Sequence, residues 1–108
     1  MDGAAARIEA EAAGWEGVTV APHRFGGIEF RLGRRELGHL HGDRLADLPF
    51  TLARRDELIA AGRVQRHHWL PDSGWASRPI RDESDVQDVL ALLREQYERA
   101  AARAAARA

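Results

Sequence analysis

Two histidines sit one residue apart, at His39 and His41, and two carboxylates follow them at Asp43 and Asp47. Alternate residues of a β-strand point to the same face of a sheet. His39 and His41 can therefore project together, with Asp43 if the strand continues. A histidine oriented by a neighbouring carboxylate can act as a general acid or base. We take His39, His41 and Asp43 as candidate catalytic residues.

The same His-x-His spacing occurs among metal ligands, because neutral imidazole binds zinc, iron, nickel and copper. Leu37 has the same parity along the strand as both histidines, so this face could equally belong to the hydrophobic core. We expect no bound metal; if one is present, His39 and His41 hold it. Further ligands would come from His23, His67, His68, Asp43 or Asp47.

Composition narrows the classes of protein to which this chain can belong. Its 108 residues suit one small domain, and it contains no cysteine, which excludes disulfides, thiolate catalysis and cysteine-ligated metals. No apolar run approaches the roughly 20 residues that cross a bilayer, and the acidic, alanine-rich start does not resemble a secretory signal. We expect a cytoplasmic protein, monomeric or homodimeric, without membrane contact.

The basic residues could contact phosphate groups. All sixteen are arginines, with small groups at Arg31, Arg34 and Arg35, and at Arg54 and Arg55. A nucleic-acid-binding domain normally carries a strong basic excess, whereas the formal net charge of this chain is -1. We therefore expect a small molecule or a protein as partner, and we do not expect nucleic acid.

Apolar and polar residues alternate in several segments, a pattern typical of half-buried strands. The predicted strands cover residues 17–23, 28–32, 35–41, 64–70 and 75–80. Turns are predicted at residues 25–27, 33–34 and 71–74, where glycine, proline and aspartate occur. The second and third strands flank a two-residue turn, so they should pair as an antiparallel hairpin.

Helices are predicted over residues 2–13, over residues 52–61 and from residue 84 onward. The first has a weak apolar side, so we expect it at the periphery. Thr51 caps the second, with Leu52 among the residues turned inward. Ser84 starts the third. Residues 101–108 contain only alanine and arginine, and we treat them as a solvated tail.

The order of these elements indicates the fold class. Strand–helix–strand units do not repeat regularly, which argues against a doubly wound parallel sheet. We predict an α+β domain over residues 1–100: an antiparallel sheet of about five strands, helices packed mainly on one face, and a long C-terminal helix. Residues 42–50 are predicted to be a loop in which Asp47 stabilises a turn.

Much of the chain resembles the small bacterial proteins called the luciferase domain or luciferase family. The resemblance covers roughly residues 15–100. It rests on Pro22-His23-Arg24-Phe25-Gly26-Gly27-Ile28-Glu29-Phe30, on Gly38-His39-Leu40-His41-Gly42-Asp43 and on Asp47-Leu48-Pro49-Phe50. His67-His68-Trp69-Leu70-Pro71-Asp72-Ser73-Gly74-Trp75 and the terminal helix ending in Tyr97-Glu98 fit as well.

The resemblance implies a family, not an activity. Flavin-dependent bacterial luciferases look like TIM barrels, which need about 250 residues. Gly26 and Gly27 lie in a predicted strand–strand turn, not in the glycine-rich fingerprint that precedes a helix in dinucleotide-binding domains. We therefore expect no flavin cofactor and no light emission.

A second group of residues resembles the MmcQ/YjbR-like domains. They are His68-Trp69, the strand at 75–80, the acids from Asp82 to Asp85, and Tyr97. That resemblance also implies an α+β domain with an antiparallel sheet, and some of those domains are proposed to bind DNA. Residues 39–43 depart from their pattern.

Four of the five histidines lie close to the ends of predicted strands, which favours a pocket at the edge of the sheet. We expect this pocket to bind a small ligand or a protein partner. Two alternatives stay open: a metal-dependent or His/Asp acid–base enzyme, and a nucleic-acid-binding domain of the MmcQ/YjbR type. The predicted ligand-binding residues are His23, His39, His41, Asp43, Asp47, His67, His68 and Trp69.

Overall fold

A six-stranded antiparallel sheet forms the centre of the computed structural model, which describes residues 1–24 and 26–108. The strand order across the sheet is β1-β2-β3-β4-β6-β5. The predicted α+β class is confirmed, with one strand more than expected. Phe25, in the turn predicted at 25–27, lies outside the described residues. The strands are β1 (Val18–Pro22), β2 (Ile28–Leu32), β3 (Arg35–His41), β4 (Leu45–Pro49), β5 (Gln65–Arg66) and β6 (Trp75–Pro79).

The additional strand, β4, lies in the segment predicted to be a loop, so that prediction is wrong. β4 pairs with β3 on one side and with β6 on the other. Its three central residues are all buried, because both faces of this interior strand are covered. A strand buried on both faces shows no apolar–polar alternation, and aspartate and proline are rare in strands. β5, in contrast, is shorter than the strand predicted at 64–70.

Three helices, α1 (Ala4–Ala12), α2 (Leu52–Ala60) and α3 (Glu83–Arg107), accompany the sheet. α3 packs across β2, β3, β4 and β6, and α1 packs against α3. The helix α1 is less peripheral than predicted: the side chains of Ala4, Ile8 and Ala12 have no exposed surface. Small alanines on this face let α1 approach its neighbour closely, which the weak apolar pattern did not indicate.

The helix boundaries differ in part from the prediction. Thr51 caps α2 as predicted, because its hydroxyl accepts the backbone N–H of Arg54 at 3.1 Å. Asp82, not Ser84, caps α3 through a bond from the backbone N–H of Asp85. Leu52 is 52% exposed, so it does not turn inward. The alanine–arginine segment continues α3 as helix up to Arg107.

Among the helices of the described residues, none has both the length and the apolar character needed to cross a membrane.

A β-bulge in β3 separates the core from the histidines. Phe30 lies opposite Gly38, whereas Arg31 lies opposite Glu36, so Leu37 is the extra residue. Leu37 is buried in the hydrophobic core. A Cβ on Gly38 would lie 3.1 Å from Leu93 of α3, so position 38 faces the helix and the following histidine faces away. The expectation that Leu37 shares a face with the histidines is wrong.

Candidate functional site

A row of polar residues crosses the sheet on the side away from α3. Glu29 on β2 lies opposite His39 on β3. His39 in turn lies opposite Asp47 on β4, and Asp47 lies opposite Ser77 on β6. Directly opposed residues on neighbouring strands share a face. His41 joins the row because it lies two residues beyond His39 on the same strand.

The carboxylate of Asp47 is the centre of a buried polar cluster and has no exposed surface. The Ser77 hydroxyl donates to its Oδ1 at 2.5 Å. His41 Nε2 lies 2.9 Å from its Oδ2, and the Nε2 atoms of His67 and His39 lie 3.2 and 3.4 Å from the same oxygen. Burial alone would raise the pKa of Asp47. Hydrogen bonds from His39, Ser77 and His41 outweigh burial and hold that pKa well below its ordinary value.

The hydrogen bonds of His67 determine its tautomer. Its Nδ1 accepts the backbone N–H groups of Trp69 and Leu70, at 3.1 and 3.2 Å. A ring nitrogen that accepts hydrogen bonds carries no proton, so the proton of neutral His67 is on Nε2, the atom that faces Asp47. His67 therefore anchors the segment leading into Trp69, and its Nε2 offers no lone pair to a metal.

His39 contacts a carboxylate with each of its ring nitrogens. Nδ1 lies 2.7 Å from Glu36, and Nε2 lies 3.4 Å from Asp47. Burial lowers the pKa of His39, but the hydrogen bonds and negative charges of Asp47 and Glu36 outweigh burial and raise the pKa to about 9. At neutral pH His39 is therefore an imidazolium held between two carboxylates.

His23 and Glu29 extend the cluster towards β1. The ring of His23 stacks on that of His39, with centroids 3.9 Å apart and planes inclined by 12°. His23 Nδ1 lies 3.0 Å from Glu29, and Arg31 donates to the same carboxylate. Burial raises the pKa of Glu29, but the hydrogen bonds to His23 and Arg31 outweigh burial and lower it. Glu29 is thus a further ionised carboxylate near the histidines.

A pocket of about 340 Å³ opens beside this cluster. That volume lies near the lower end of the range for small-molecule sites, roughly 300–1,000 Å³. Part of its wall is apolar and exposed: Trp69 is 70% exposed and Leu70 is 50% exposed. Trp75 adds a second indole, with its ring 5.3 Å from that of His39. The pocket thus combines flat apolar surfaces with imidazoles. The histidines that line it are His23, His39, His41 and His67.

Comparison with known protein families identifies the family to which this chain belongs. The family described as Luciferase domain matches residues 34–96, more than half of the chain. The chain belongs to the luciferase domain family. No curated protein and no solved structure matches it. The residues around Asp47 all lie within the luciferase domain match, whereas His23 and Glu29 precede it.

This luciferase domain brings together His23, His39, His41, Asp47, His67 and Trp69 of the residues predicted to bind a ligand. Asp43 lies elsewhere: its carboxylate accepts the backbone N–H groups of Gly3 at 3.2 Å and Ala5 at 2.9 Å. Asp43 therefore accepts hydrogen bonds from the free backbone N–H groups at the start of α1 and does not join the pocket. His68 stacks on His67 from an exposed position and does not line the pocket.

Several further residues of the site were not among those predicted from the sequence, including Leu70 and Trp75 in the pocket wall. In the sequence pattern, Glu29 and Arg31 occupy the polar, solvent-facing positions of an ordinary strand. Glu36 and His39 would not be neighbours in a regular strand, and only the bulge brings them into contact. The role of Ser77 depends on the pairing of β4 with β6, which a predicted loop could not reveal.

Two overlapping groups of side chains could hold a metal ion: His23, Glu36 and His39, and His39, His41 and Asp47. Two histidines with one carboxylate are typical of iron(II) sites, and Glu36 would orient His39 through its second nitrogen. Among the described residues, however, every buried side-chain nitrogen and oxygen already has a hydrogen-bond partner. The polar cluster is therefore complete without an ion.

Proposed function

We propose that this luciferase domain binds a small, planar, acidic organic molecule in the histidine-lined pocket and exchanges a proton with it through His41. The observation that carries the proposal is the contact of His41 with the buried Asp47 carboxylate. A carboxylate placed in this way fixes the orientation of an imidazole. It also stabilises the imidazolium that forms when the ring takes up a proton.

His41 is the histidine we assign to the proton transfer. Its side chain is 29% exposed and lines the pocket, while its Nε2 is bonded to Asp47. A neutral His41 that donates from Nε2 keeps the lone pair of Nδ1. Within residues 1–24 and 26–108, no group forms a hydrogen bond with that Nδ1. Nδ1 is therefore the atom that would accept a proton from the ligand.

The other residues that line the pocket indicate the chemical class of the ligand. The positive charge of His39 favours a molecule that becomes negative when it loses a proton, such as a phenol, an enol or a carboxylic acid. The rings of Trp69 and Trp75 offer flat faces on which an aromatic ligand can stack. We propose no flavin and no metal as cofactor; a cytoplasmic location stays a prediction.

A panel of single-ring compounds tests the proposed ligand class. We would titrate 4-hydroxybenzoate, catechol and the neutral benzamide, following the amide signals of residues 39–41 and of Trp75 by NMR. The acidic compounds should bind roughly ten-fold more tightly than benzamide, because they can pair with the His39 imidazolium. His39→Gln should remove this preference, whereas His68→Gln, an exposed position outside the pocket, should preserve it.

The tautomer of His41 tests the proposed proton transfer. Nitrogen-15 shifts of the imidazole ring should show the proton of neutral His41 on Nε2, and Asp47→Asn should change that assignment. The proposal is contradicted if benzamide binds as well as the acids, if shifts lie outside the pocket, or if the His41 proton is on Nδ1.

A further inference from the structure

A second cleft lies between the β2–β3 turn and the last turns of α3. Its volume is about 940 Å³, and it shares no lining residue with the histidine pocket. Arg34 and Arg35 line it from the turn, and Arg103 and Arg107 line it from the helix. Residues distant in sequence therefore concentrate positive charge in one concave surface.

The helical arginines form a regular row. Arg99, Arg103 and Arg107 follow one another at intervals of four residues, with only alanines between them. Residues four apart lie on one side of a helix, and eight residues of helix rise about 12 Å. Ala100, Ala101 and Ala104 line the cleft, so no large side chain stands between the arginines and an approaching ligand.

This positive charge is not neutralised within the described part of the chain. None of the guanidinium groups of Arg34, Arg35, Arg103 and Arg107 forms an ion pair with a carboxylate there. Arg99 lies just outside the cleft lining, and its charge helps to lower the pKa of Glu95. Glu16 is the one acidic residue among those lining the cleft. The arginines outside the cleft behave differently; most of those in helices and strands are paired with acids.

The helix dipole explains only part of this arrangement. Cations are favourable in the last turn of a helix, which accounts for Arg107. The helix dipole does not account for Arg34 and Arg35, which lie at the β2–β3 turn. Arg35 is exposed, yet its partial desolvation and then the nearby charges of Arg103, Arg99 and Arg107 lower its pKa. The cleft therefore brings like charges together at a cost that a bound anion would offset.

We propose that this cleft binds the sugar–phosphate backbone of a nucleic acid strand. A row about 12 Å long suits a ligand whose negative charges repeat, not a single phosphate. Tyr97 also lines the cleft, but its ring already contacts Trp15 and the guanidinium of Arg94, so the arginines carry the proposed contact with the backbone. A membrane surface fits less well, because residues 99–108 contain no large apolar side chain to insert.

This proposal reverses our expectation from the sequence and is independent of the proposed function of the histidine pocket. The expectation rested on the net charge, weighed against two small groups of arginines: Arg31, Arg34 and Arg35, and Arg54 and Arg55. Of these, Arg31, Arg54 and Arg55 pair with Glu29, Glu95 and Asp56, whereas Arg34 and Arg35 line the cleft.

Fluorescence anisotropy with a fluorescein-labelled oligothymidylate tests the proposal on the whole chain. Binding should weaken with salt, with a slope of log affinity against log salt of about -0.7 for each phosphate contacted. The triple variant Arg99→Ala, Arg103→Ala and Arg107→Ala keeps good helix formers. It should bind at least about ten-fold more weakly at low salt, and its slope should be shallower by about 2.

A second triple variant provides the matched control. Arg44→Ala, Arg66→Ala and Arg81→Ala remove the same charge from exposed positions that line neither cleft, so binding should stay near that of the unaltered chain. Equal weakening by both triple variants would show a non-specific charge effect and overturn the proposal. Tighter binding of polyglutamate or of anionic phospholipid vesicles than of the oligonucleotide would also overturn it.

Chemical-shift mapping on the unaltered chain does not depend on the folding of either variant. In the unaltered chain, the oligonucleotide should shift the NMR signals of Ala100, Ala101 and Ala104. Shifts confined to residues outside the cleft would contradict the proposal.

Discussion

His41 Nε2 lies 2.9 Å from Oδ2 of Asp47, a carboxylate with no exposed surface. A fully buried charge is tolerated only when it is paired and hydrogen-bonded. Three of the histidines that line the pocket, His39, His41 and His67, are therefore also groups that stabilise the buried Asp47 carboxylate. Changes at this contact should affect ligand binding and stability together.

Replacing Asp47 should destabilise the protein strongly. Asp47→Asn removes the negative charge that pairs with His39 and leaves buried donors without an adequate acceptor. We expect the free energy of unfolding to fall by about 3–5 kcal/mol, measured by urea denaturation. Asp72→Asn, at a side chain that is 99% exposed, should change it by less than about 0.5 kcal/mol. Similar values for the two variants would show that Asp47 is not the centre of the cluster.

The pKa of His39 should make stability decline at alkaline pH. The pKa rises from an ordinary 6.5 to about 9 on folding, so protonated His39 stabilises the native state. That contribution is complete below pH 6.5 and is lost as the pH rises through about 9. The loss should be about 3 kcal/mol between about pH 6 and about pH 10, measured by urea denaturation.

A pair of histidine variants checks this assignment. His39→Gln should flatten the alkaline part of the stability profile, whereas His68→Gln should leave it as in the unaltered protein. A profile of the unaltered protein that is already flat above neutral pH would be the contrary result.

Removing metal should leave the stability unchanged, because the cluster is satisfied by its own hydrogen bonds. We expect less than one metal ion per chain in elemental analysis and the same Tm with and without a chelator. If the group of His39, His41 and Asp47 instead binds a metal tightly, chelation should lower Tm. His41→Gln should then remove both the metal and the effect of the chelator.

Acid should abolish a second stabilising contact, away from the pocket. Asp85 accepts the backbone N–H of Arg81 at 2.8 Å and a hydrogen bond from Arg78 at 2.5 Å. Burial raises the pKa of Asp85, but these bonds outweigh burial and lower it. The contribution of the carboxylate is present above its ordinary pKa of 3.8 and is lost as the pH falls through the lower folded value.

Asp85→Asn should therefore cost about 2 kcal/mol at neutral pH and progressively less in acid, measured by denaturation across the acid range. Asp2→Asn, at an exposed position, should have almost no effect at either pH. A cost for Asp85→Asn that stays constant from neutral pH to strong acid would refute the electrostatic explanation.

Local patterns were sufficient for the β2–β3 hairpin and for α3. β2 shows apolar residues at every second position and is followed by a two-residue turn, and α3 shows apolar residues at helical spacing, so each segment carries its own signal. The same local rule placed His39 and His41 on one face of β3. These features needed no knowledge of distant residues.

Contacts between distant segments could not be predicted in this way. Asp47 became the centre of the site only because β4 lies between β3 and β6. Asp43, adjacent to the histidines in sequence, bonds instead to α1 at the start of the chain. Glu36 reaches His39 only through the bulge, which hydrophobic periodicity does not reveal.

The bulge at Leu37 also limits how the length of β3 can vary. Deleting Leu37 would remove the bulge but keep the pairing on both sides of it, because Phe30 already lies opposite Gly38 and Arg31 opposite Glu36. His39 and His41 would stay on the pocket face, and the core would lose one apolar side chain. Deleting Leu40 instead would turn His41 towards the apolar core, so the strand tolerates a change of length at the bulge and not beyond it.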